Sequence, residues 1–594
     1  MAEPVTATRD APLISVSRAS TLANRTGSWK YIMPTYRDGV APCNARCPTG
    51  VDVEGYMELL RQDRVDEAVD LLLRENPMPA VTGRVCHHPC EAACNRGHFD
   101  EAVAVHLVER ELGDRALAEP PPLPATRREG RVAVVGSGPA GLACAYHLTL
   151  LGYTVTVLEA EAEAGGMLRQ GIPSYRLPRT VLDRQLAWYR AMGIEIRCGE
   201  RIDAAAADSL LAEYDAVFLA PGAHRGRPLG AAGEVGPGVV PGLEFLRAVN
   251  AGARPDIGRH VAIVGGGNTA MDCARTAQRL GARATVIYRR TREDMPAIAS
   301  EIAEAEAEGV VFEFLANPRA FHRAHDRLIA VECDRMAQGE PDASGRRRAV
   351  VAEHGAFSMY VDTLLTAIGE DAVLDCLPSA VPVTNGTIPA DELGATPATG
   401  TWAGGDAAGV ERTVADALGS GKAAAMDIDR ALRARRGVDV VLDAPSLRWA
   451  GGAMSMSRWR GDDPVQRTAP ANDVVAFDAL NPVHFTHLPR HREHPDAGQH
   501  GGAAPDGSNG GSGGYGFAEV NPGLASAEAL AEARRCFNCG VCNACELCLM
   551  FCPDAAITRT ADGRFSIDLD HCKGCGVCAR ECPRGAIVMT REGL

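Results

Sequence analysis

An early segment of the chain repeats apolar and polar positions with a helical period. VEGYMELL, VDEAVDLLLR and EAVAVHLVERELGDRAL place apolar residues at i, i+3, i+4 and i+7 between about residues 51 and 118. Residues 1–40 have no clear period and predict an extended arm. The proline-rich stretch EPPPLPATRREG at 119–130 predicts a semi-rigid boundary. The pattern therefore indicates a helical N-terminal module that ends near residue 118.

After residue 130 the pattern changes to buried strands that alternate with helices. RVAVV and TVTVLE flank a helical segment, and the same order returns from residue 259 in RHVAIVGGGNTAMDCARTAQRLGARATVIYRRT. Such βαβ units are typical of parallel sheets. From about residue 436 the pattern is coil with mixed strand, and HPDAGQHGGAAPDGSNGGSGGYG at 494–516 predicts a flexible linker.

The first βαβ unit contains a G-x-G-x-x-G turn at 136–141. Gly136 permits the tight turn, Gly138 lets the backbone approach a pyrophosphate, and Gly141 allows close helix–strand packing. The pyrophosphate then lies at a helix N-terminus, where N–H groups and the helix dipole favour negative charge. Glu159 ends the second strand, where a carboxylate accepts hydrogen bonds from ribose hydroxyls. An accidental glycine-rich turn is the alternative, but the complete unit favours a dinucleotide site.

The second βαβ unit repeats this arrangement but ends differently. Its candidate nucleotide contacts are Gly265, Gly267, Asn268 and Thr269. The second strand ends in Tyr288-Arg289-Arg290, where an NAD site would place a carboxylate. The guanidinium groups of Arg289 and Arg290 suit a 2′-phosphate through charge-assisted hydrogen bonds. A solvated basic turn is the alternative; the pattern favours NADP(H) over NAD(H).

Two ferredoxin-type cysteine runs close the chain. Each has the spacing C-x2-C-x2-C-x3-C-P, typical of two [4Fe–4S] clusters in which the fourth cysteine of each run ligates the other cluster. The predicted ligand sets are Cys542, Cys545, Cys548 and Cys582 for one cluster and Cys572, Cys575, Cys578 and Cys552 for the other. Zinc is the alternative, although zinc sites usually present two separated cysteine pairs. Cys536 and Cys539 precede these runs without an assigned partner; they could shift the register, bind a further metal or remain free thiols.

Five more cysteines lie in the helical module, in APCNARCP and GRVCHHPCEAAC: Cys43, Cys47, Cys86, Cys90 and Cys94. Ligands on two loops separated by a helical hairpin can converge on one iron–sulfur cluster. Structural zinc is the alternative, and His87 and His88 keep it open.

Composition narrows the class of protein. The chain has 594 residues, which is too long for one core. Its 20 cysteines are mostly clustered and no secretory signal precedes them, which favours metal or cluster ligation over disulfides. The net charge of −15 argues against nucleic-acid binding. No run of about 18 apolar residues occurs, so no membrane span is predicted and a cytoplasmic protein is expected.

Seven motifs in a fixed order give the chain a family resemblance over residues 40–435: PCNARCP, GRVCHHPCEAAC, GSGPAGL, GGMLRQGIPSYRLP, GGGNTAMD, YRRT and AGGDAAG. With them the chain resembles the small subunit of NADPH-dependent glutamate synthase and its relatives. Those include the N-terminal part of dihydropyrimidine dehydrogenase and the large subunit of NADH-dependent ferredoxin:NADP oxidoreductase. Nothing resembles a glutaminase or a glutamate-synthase barrel, so this chain alone is not expected to make glutamate.

The resemblance implies that the first unit binds FAD. GGMLRQGIPSYRLP follows that unit, and the late TWAGGDAAG motif of two-dinucleotide flavoproteins places Asp406 on the ribityl chain, before a helix that faces the flavin. The candidate flavin contacts are Gly136, Gly138, Pro139, Ala140, Gly141, Glu159, Gly166, Met167, Leu168, Gly405, Asp406 and Thr413. LAPGAH and LTAIGE resemble the crossover strands of the pyridine nucleotide–disulfide oxidoreductases, but no C-x4-C disulfide motif follows the first unit. Electrons accepted by flavin would therefore go to oxygen, a small molecule or the clusters.

For the N-terminal module the resemblance implies a cluster held by Cys47, Cys86, Cys90 and a residue of the following helix, Glu109. Members with two N-terminal clusters carry two further cysteines where this chain has Thr35 and Asp38. Cys43 and Cys94 would then be the only ligands left for a second cluster, and one N-terminal cluster is expected.

The C-terminal cysteine module resembles a subgroup that includes electron-input subunits of 2-oxoacid:acceptor oxidoreductases, and a related protein exchanges electrons with dissimilatory sulfite reductase. We predict an NAD(P)H-dependent oxidoreductase subunit that passes electrons between NAD(P)H, FAD and the clusters, to or from a 2-oxoacid oxidoreductase or a ferredoxin-type partner. The alternatives are an electron-transfer partner of dissimilatory sulfite reductase, a glutamate synthase small subunit and a non-catalytic cofactor-binding scaffold. No acid–base catalytic residue is required, because the cofactors carry the chemistry.

The predicted fold class is a multidomain α/β protein with a helical iron–sulfur domain, two Rossmann-type domains and a ferredoxin-like α+β domain. The predicted boundaries are 1–125 for the helical domain, 126–240 and 361–435 for the FAD domain, 241–360 for the NAD(P)H domain, 436–529 for a linker region and 530–594 for the ferredoxin domain.

Overall fold

The computed structural model describes residues 25–591, except 126, 342–346, 354, 439, 441–442, 462–472 and 494–515. The flexible linker predicted for 494–516 therefore lies outside the described residues apart from Gly516, and the predicted arm is described from residue 25. No helix in the described ranges combines the length and the apolar character that crossing a membrane requires.

One strand and six helices form the N-terminal part: β1 (Ile32–Tyr36), α1 (Pro42–Arg46), α2 (Val53–Arg61), α3 (Val65–Glu75), α4 (Pro79–Val85), α5 (Pro89–Ala92) and α6 (Val105–Ala116). Asp52 caps α2 by accepting a hydrogen bond from Gly55 N at 3.0 Å. Helices α4 and α6 cross closely, since a Cβ on Gly113 would lie 2.1 Å from Ala80 N. Apolar residues of α2, α3 and α6 form one core.

The first dinucleotide-binding domain begins at residue 131. Its elements are β2 (Arg131–Val135), α7 (Pro139–Leu150), β3 (Thr154–Glu159), α8 (Met167–Gln170), α9 (Arg179–Ala191), β4 (Glu195–Cys198), α10 (Ala204–Glu213), β5 (Ala216–Leu219) and β6 (Ala223–Gly226). Helix α7 is buried on every side, because the sheet covers one face and a later helix covers the other.

The second dinucleotide-binding domain is inserted after β6. Its elements are β7 (Val239–Pro241), α11 (Gly242–Asn250), β8 (His260–Val264), α12 (Asn268–Arg279), β9 (Arg283–Tyr288), α13 (Ala299–Ala307), β10 (Val311–Phe314), β11 (Ala316–Ala324), β12 (Arg327–Pro341), β13 (Arg347–Val351), β14 (Phe357–Tyr360) and β15 (Thr363–Thr366). Five strands form a parallel sheet in the order β10-β9-β8-β15-β7. An antiparallel sheet of β11 to β14 packs beside it.

The chain then returns to the first domain through β16 (Glu370–Ala372), β17 (Thr401–Ala403) and α14 (Val414–Ala434). Strand β16 pairs antiparallel with β6, so the two connections between the domains run side by side. The first sheet is parallel in the order β17-β5-β2-β3-β4. Helix α14 packs on α7, and a Cβ on Gly421 would lie 2.1 Å from Ala140 O. This close packing places the N-termini of both helices at the same end of the sheet.

The C-terminal domain consists of α17 (Ser526–Ala533), α18 (Leu547–Met550), β18 (Ile557–Arg559), β19 (Phe565–Ile567), α19 (Val577–Arg580) and β20 (Ile587–Arg591), and it follows α15 (Ala444–Leu447) and α16 (Met456–Arg460). Strands β18 and β19 pair antiparallel. Strand β20 pairs antiparallel with β1 near the other end of the chain. The described part of the N-terminal arm is thus a strand of the ferredoxin-like domain.

Described parts of the region predicted as a linker, 436–529, are packed against the domains. The Trp449 indole is buried and donates a hydrogen bond to Gly50 O at 2.9 Å. The Arg490 guanidinium pairs with Glu91 at 2.6 Å, and Val520 N donates to Tyr175 O at 3.0 Å. The region therefore connects the helical domain to the first dinucleotide-binding domain.

Candidate electron-transfer site

The three glycines of the first turn differ in the space around them: two leave no room for a side chain, and the third faces open space. Gly136 has φ of +102°, and a Cβ there would lie 2.2 Å from Ala220 O. A Cβ on Gly141 would lie 2.0 Å from Gly136 O. At Gly138 no atom lies within 4 Å of the Cβ position. Since Gly138 directly precedes α7, this open space at the helix N-terminus fits a pyrophosphate.

Glu159 is held at the end of β3 against this turn. Its Oε2 accepts a hydrogen bond from Ser137 N at 3.0 Å and another from the Ser137 hydroxyl, and its Oε1 accepts one from Glu161 N at 2.9 Å. The second loop closes over the turn, because a Cβ on Gly166 would lie 2.8 Å from Gly138 Cα. The carboxylate is thus oriented for the ribose contact that the sequence predicts.

The late glycine motif completes the same cavity. Thr413 caps α14 by accepting a hydrogen bond from Asp416 N at 3.0 Å. Asp406 also lines the cavity; burial raises the pKa of its carboxyl group, and the nearby Arg412 guanidinium partly offsets this effect. Two helix N-termini and the carboxyl groups of Glu159 and Asp406 therefore face one space, a donor and acceptor set that fits FAD.

The cavity has a volume of about 480 Å³. Predicted flavin contacts in its wall are Gly136, Gly138, Pro139, Ala140, Glu159, Gly166, Met167, Gly405, Asp406 and Thr413. Leu168 is instead fully buried in the core below, and Gly141 packs under the turn. Asn268, Thr269 and Asp272 of the second domain line the same cavity, as do Val85 and His87 of the helical domain. Three domains therefore meet at one space.

The second glycine turn resembles the first: one glycine leaves no room for a side chain, and another faces open space. A Cβ on Gly265 would lie 2.1 Å from Ala367 O, whereas no atom lies within 4 Å of the Cβ position of Gly267. Asn268 Oδ1 accepts a hydrogen bond from Ile298 N at 2.9 Å, which holds the start of α12. The turn therefore leaves room for a second pyrophosphate.

The two arginines after β9 differ in exposure. Arg290 is buried, and its Nε donates to Arg347 O at 2.9 Å. Arg289 is exposed. The 2′-phosphate contact predicted for both side chains therefore falls more readily to Arg289.

We expect Arg289→Ala to raise the Kd for NADPH by about 10- to 100-fold, because a hydrogen bond to a charged group contributes about 1.5–3 kcal/mol. The Kd for NADH, which has no 2′-phosphate, should hardly change. Arg292→Ala is the control, since this exposed arginine pairs with Glu306 at 2.7 Å. Flavin-fluorescence titration measures both constants, and an equal loss for the two nucleotides would contradict the assignment.

A buried ion pair joins the two dinucleotide-binding domains at the cavity. Arg176 Nη1 lies 2.9 Å from both carboxyl oxygens of Asp272. Burial raises the pKa of Asp272, and Arg176 opposes that shift. Because a buried unpaired charge is costly, this pair favours one relative orientation of the two domains.

In the helical domain, three cysteines surround Glu109. Burial and the Glu109 carboxyl group raise the pKa of Cys47 and Cys86, and Glu109 is also among the groups that raise the pKa of Cys90. Glu109 is half-buried, and desolvation raises its pKa to about 7; it accepts a hydrogen bond from Asn76 Nδ2 at 3.1 Å. His88 N donates to Cys86 Sγ at 3.4 Å. Converging buried thiols with amide donors fit an iron–sulfur cluster.

The spacing of the sulfur atoms bears on the zinc alternative. A single Zn²⁺, with Zn–S distances of about 2.3 Å, would gather its ligand sulfurs to within about 4 Å of one another. No three cysteines of the described residues have sulfur atoms within 4.8 Å of one another; the group that meets this limit is His88, Glu91 and His106. The cysteine groups are therefore more widely spaced than a single ion requires.

The ferredoxin-like domain brings the two runs together in crossed sets. One cavity is lined by Cys542, Cys545, Cys548 and Cys582, and a second by Cys552, Cys572, Cys575 and Cys578. The Tyr36 hydroxyl lies 3.2 Å from Cys548 Sγ, and Ala556 N and Ala586 N donate to Cys552 Sγ and Cys582 Sγ at 3.4 Å. These are the groupings that the ferredoxin pattern predicts.

Cys43 and Cys94 do not join the Glu109 group. Their neighbours are Cys536 and Cys539, the pair to which the sequence assigns no partner. Val85, His87 and Asp272 also line the cavity, and no local pattern in the sequence marks them.

Two opposed dinucleotide sites between groups of cysteine thiols define an iron–sulfur flavoprotein. Family models agree: Pyridine nucleotide-disulphide oxidoreductase matches residues 130–421, Dihydropyrimidine dehydrogenase domain II, 4Fe-4S cluster, matches 38–120, and 4Fe-4S binding domain matches 565–588. The predicted fold class, the oxidoreductase class and the cofactor set of FAD, nicotinamide dinucleotide and [4Fe–4S] clusters are confirmed.

Three curated relatives identify the family. The chain is 35% identical over 346 residues to the glutamate synthase [NADPH] small chain of Escherichia coli, covering 55% of this chain and 73% of that protein. It is 41% identical over 432 residues to NADP(+)-dependent formate dehydrogenase subunit beta of Moorella thermoacetica, covering 67% of this chain and 61% of that protein. It is 44% identical over 349 residues to NADPH-Fe(3+) oxidoreductase subunit beta of Geobacter sulfurreducens, covering 57% of this chain and 52% of that protein.

The chain belongs to the family of the NADPH-dependent glutamate synthase small chain, as its motifs predict. It spans between half and two thirds of the length of the formate dehydrogenase and Fe(3+) oxidoreductase subunits.

Proposed function

We propose that this chain is an electron-transfer subunit that takes electrons from NADPH and passes them through FAD and iron–sulfur clusters to a partner oxidoreductase. One observation carries the proposal: a single cavity is lined by both glycine turns' helices and by Val85 and His87, which flank Cys86. The predicted flavin site thus lies between the predicted nicotinamide site and the first cysteine group.

FAD supplies the conversion between the two-electron chemistry of nicotinamide and the one-electron chemistry of clusters. The chain's own residues orient the reactants. The start of α12, with Asn268 and Thr269, presents the second nucleotide site to the cavity, and the Arg176–Asp272 pair holds this domain against the first. Asp416, in the first turn of α14, is among the groups that raise the pKa of Cys86. The helix that faces the flavin site is therefore close to a cluster ligand.

The exit from the chain is proposed at the ferredoxin-like domain. Cys545 and Cys575 are exposed, so clusters held there lie within reach of another protein. Two of the relatives are by name beta subunits, which supports a partner subunit. The twenty cysteines without a disulfide and the need for reduced nicotinamide fit the cytoplasm as the site of action.

Anaerobic titration with NADPH tests the proposal. In the purified holoprotein the flavin absorbance should bleach first and the broad cluster absorbance should follow. Gly267→Val should retain flavin and clusters but lose reduction by NADPH, because the valine would fill the open space at the start of α12, while φ of −92° and ψ of 178° are allowed for any residue. Dithionite should still reduce this variant. A wild-type holoprotein whose flavin stays oxidised in NADPH would instead support the scaffold.

A further inference from the structure

Four cysteines without a predicted common site come together in this structure. Cys43 lies at the start of α1 and Cys94 after α5, whereas Cys536 and Cys539 follow α17 near the other end of the chain. Asn95, next to Cys94, donates its side-chain amide to Cys539 Sγ at 3.5 Å across 444 residues of sequence. Two distant parts of the chain therefore contribute thiols to one place in the structure.

Helix α17 delivers the distant pair by packing into the helical domain. Ala529 and Ala533 are buried in the same core as the apolar faces of α2 and α6, and Cys43, Cys94 and Cys536 pack against that core. Glu532 accepts a hydrogen bond from Ala104 N at 2.7 Å and pairs with the fully buried Arg535 at 2.6 Å. The segment with Cys536 is thus fixed by apolar and ionic contacts together.

Cys539 is fixed by separate contacts. It packs in a small apolar core with Ala41, Val475 and Phe537, and Cys43 borders that core. Gly39 N donates to Gly540 O at 2.8 Å, and the adjoining Asn538 amide donates to Glu54 Oε1 at 3.2 Å. Cys539 and Cys43 therefore meet across a hydrogen-bonded contact of the two chain segments.

The environment of these thiols resembles that of the other cysteine groups. Burial and the adjacent thiols Cys536, Cys94 and Cys539 raise the pKa of Cys43. Asn538 N donates to Cys536 Sγ at 3.4 Å, as His88 N does to Cys86 Sγ at 3.4 Å. Amide donors to ligand sulfur are a regular feature of iron–sulfur sites, where they tune the reduction potential. None of the four is in a disulfide, and no three of their sulfur atoms lie within 4.8 Å of one another.

We propose that Cys43, Cys94, Cys536 and Cys539 hold a further [4Fe–4S] cluster built by both ends of the chain. The four thiols release their protons when they bind iron as thiolates. The cluster would be assembled from iron and sulfide supplied to the protein, as for the other sites.

The position of this site makes it a relay, a role that rests on the proposed function. Cys43 and Cys47 lie at the two ends of α1, so the new site adjoins the Glu109 group. On its other side, Gly540 N donates to Arg584 O at 2.6 Å, and Arg584 lines the cavity of Cys542 and Cys582. The site therefore lies between the N-terminal group and the ferredoxin-like groups, and one electron would enter from the first and leave to the second.

The test compares the Cys536→Ser/Cys539→Ser variant with wild type after anaerobic purification and cluster reconstitution. Iron and sulfide should each fall by one cluster, about four atoms per chain, and one signal should be missing from the EPR spectrum of the dithionite-reduced protein. Cys43→Ser/Cys94→Ser should lose the same signal, and all four substitutions together should lose no more. Cys198→Ser, at a half-buried cysteine outside these groups, is the control. Retained flavin shows that each variant is folded.

Unchanged iron and sulfide in both double variants, or zinc in place of iron, would overturn the proposal. These measurements use dithionite, so they stand even if NADPH does not reduce the flavin. If NADPH does reduce it, the Cys536→Ser/Cys539→Ser variant should still show rapid flavin bleaching, but reduction of the ferredoxin-like clusters should slow by at least about 10-fold. Equal rates of ferredoxin-cluster reduction in variant and wild type would contradict the relay role alone.

Discussion

Gly138→Val is expected to yield a folded protein without flavin. Gly138 has φ of −69° and ψ of 178°, which any residue adopts, and no atom lies within 4 Å of its Cβ position. The valine methyl groups would instead fill the space in which we place the FAD pyrophosphate, at the N-terminus of α7. We expect the Kd for FAD to rise by at least about 100-fold, or about 2.7 kcal/mol.

Flavin content after gel filtration and FAD titration of the apoprotein measure this effect. Gly267→Val is the matched control, because it changes the same position of the second turn and should keep its flavin. The thermal unfolding of the two apoproteins should be similar to that of wild-type apoprotein. If Gly138→Val kept its flavin with wild-type affinity, the pyrophosphate would have to lie elsewhere in the cavity.

Among the substitutions proposed for this protein, Glu75→Ala is expected to lower the free energy of unfolding the most. Glu75 and Lys422 are both 1% exposed and pair at 2.5 Å between α3 and α14. Glu75 also accepts hydrogen bonds from the Ser455 hydroxyl at 2.7 Å, Met456 N at 2.8 Å and Ser457 N at 3.0 Å. Removing the carboxylate leaves the buried Lys422 ammonium group without a counter-charge, with only its hydrogen bond to Thr49 O, and leaves two amides without their acceptor. Breaking a buried pair in this way costs about 3–5 kcal/mol.

Urea unfolding, followed by tryptophan fluorescence and flavin release, gives the change in the free energy of unfolding of the joined helical and flavin domains. Glu67→Ala is the control, since Glu67 forms an exposed pair with Arg64 and its removal should hardly change this free energy. The double variant Glu75→Leu/Lys422→Met should lose less free energy of unfolding than the sum of the losses in Glu75→Leu and in Lys422→Met. Equal midpoints for Glu75→Ala and Glu67→Ala would show that the pair does not join the domains.

The local parts of this protein follow from local patterns. The helical period between residues 51 and 118 predicts the helices of the N-terminal domain, and the two strand–glycine turn–helix units appear at β2–α7–β3 and β8–α12–β9. These predictions succeed because the 3.6-residue period, the glycine requirement of a tight turn and the spacing of cysteines act over a few residues. The family assignment succeeds for the same reason, since it rests on short motifs in a fixed order.

Contacts between distant segments have no such local signal. Region 436–529 has a loop-like composition, yet Trp449 and Arg490 attach its described parts to the helical domain, and Val520 attaches them to the first dinucleotide-binding domain. Strand β1 lies in a segment without clear period, and its partner β20 is more than 500 residues away. Such pairings depend on which apolar faces and unpaired backbone groups remain uncovered after each domain has formed.

The sequence by itself determined the two dinucleotide turns, the crossed ferredoxin cysteine runs and the family. Each of these depends on residues that lie only a few positions apart in the sequence. Only the tertiary structure decided which nucleotide turn faces which cysteine group, and that Cys43 and Cys94 meet Cys536 and Cys539. The physical reason is that α17 must bury its apolar face in the helical core before these thiols can approach one another. Ligands that are brought together by such packing have no characteristic spacing in the sequence, so no sequence motif predicts them.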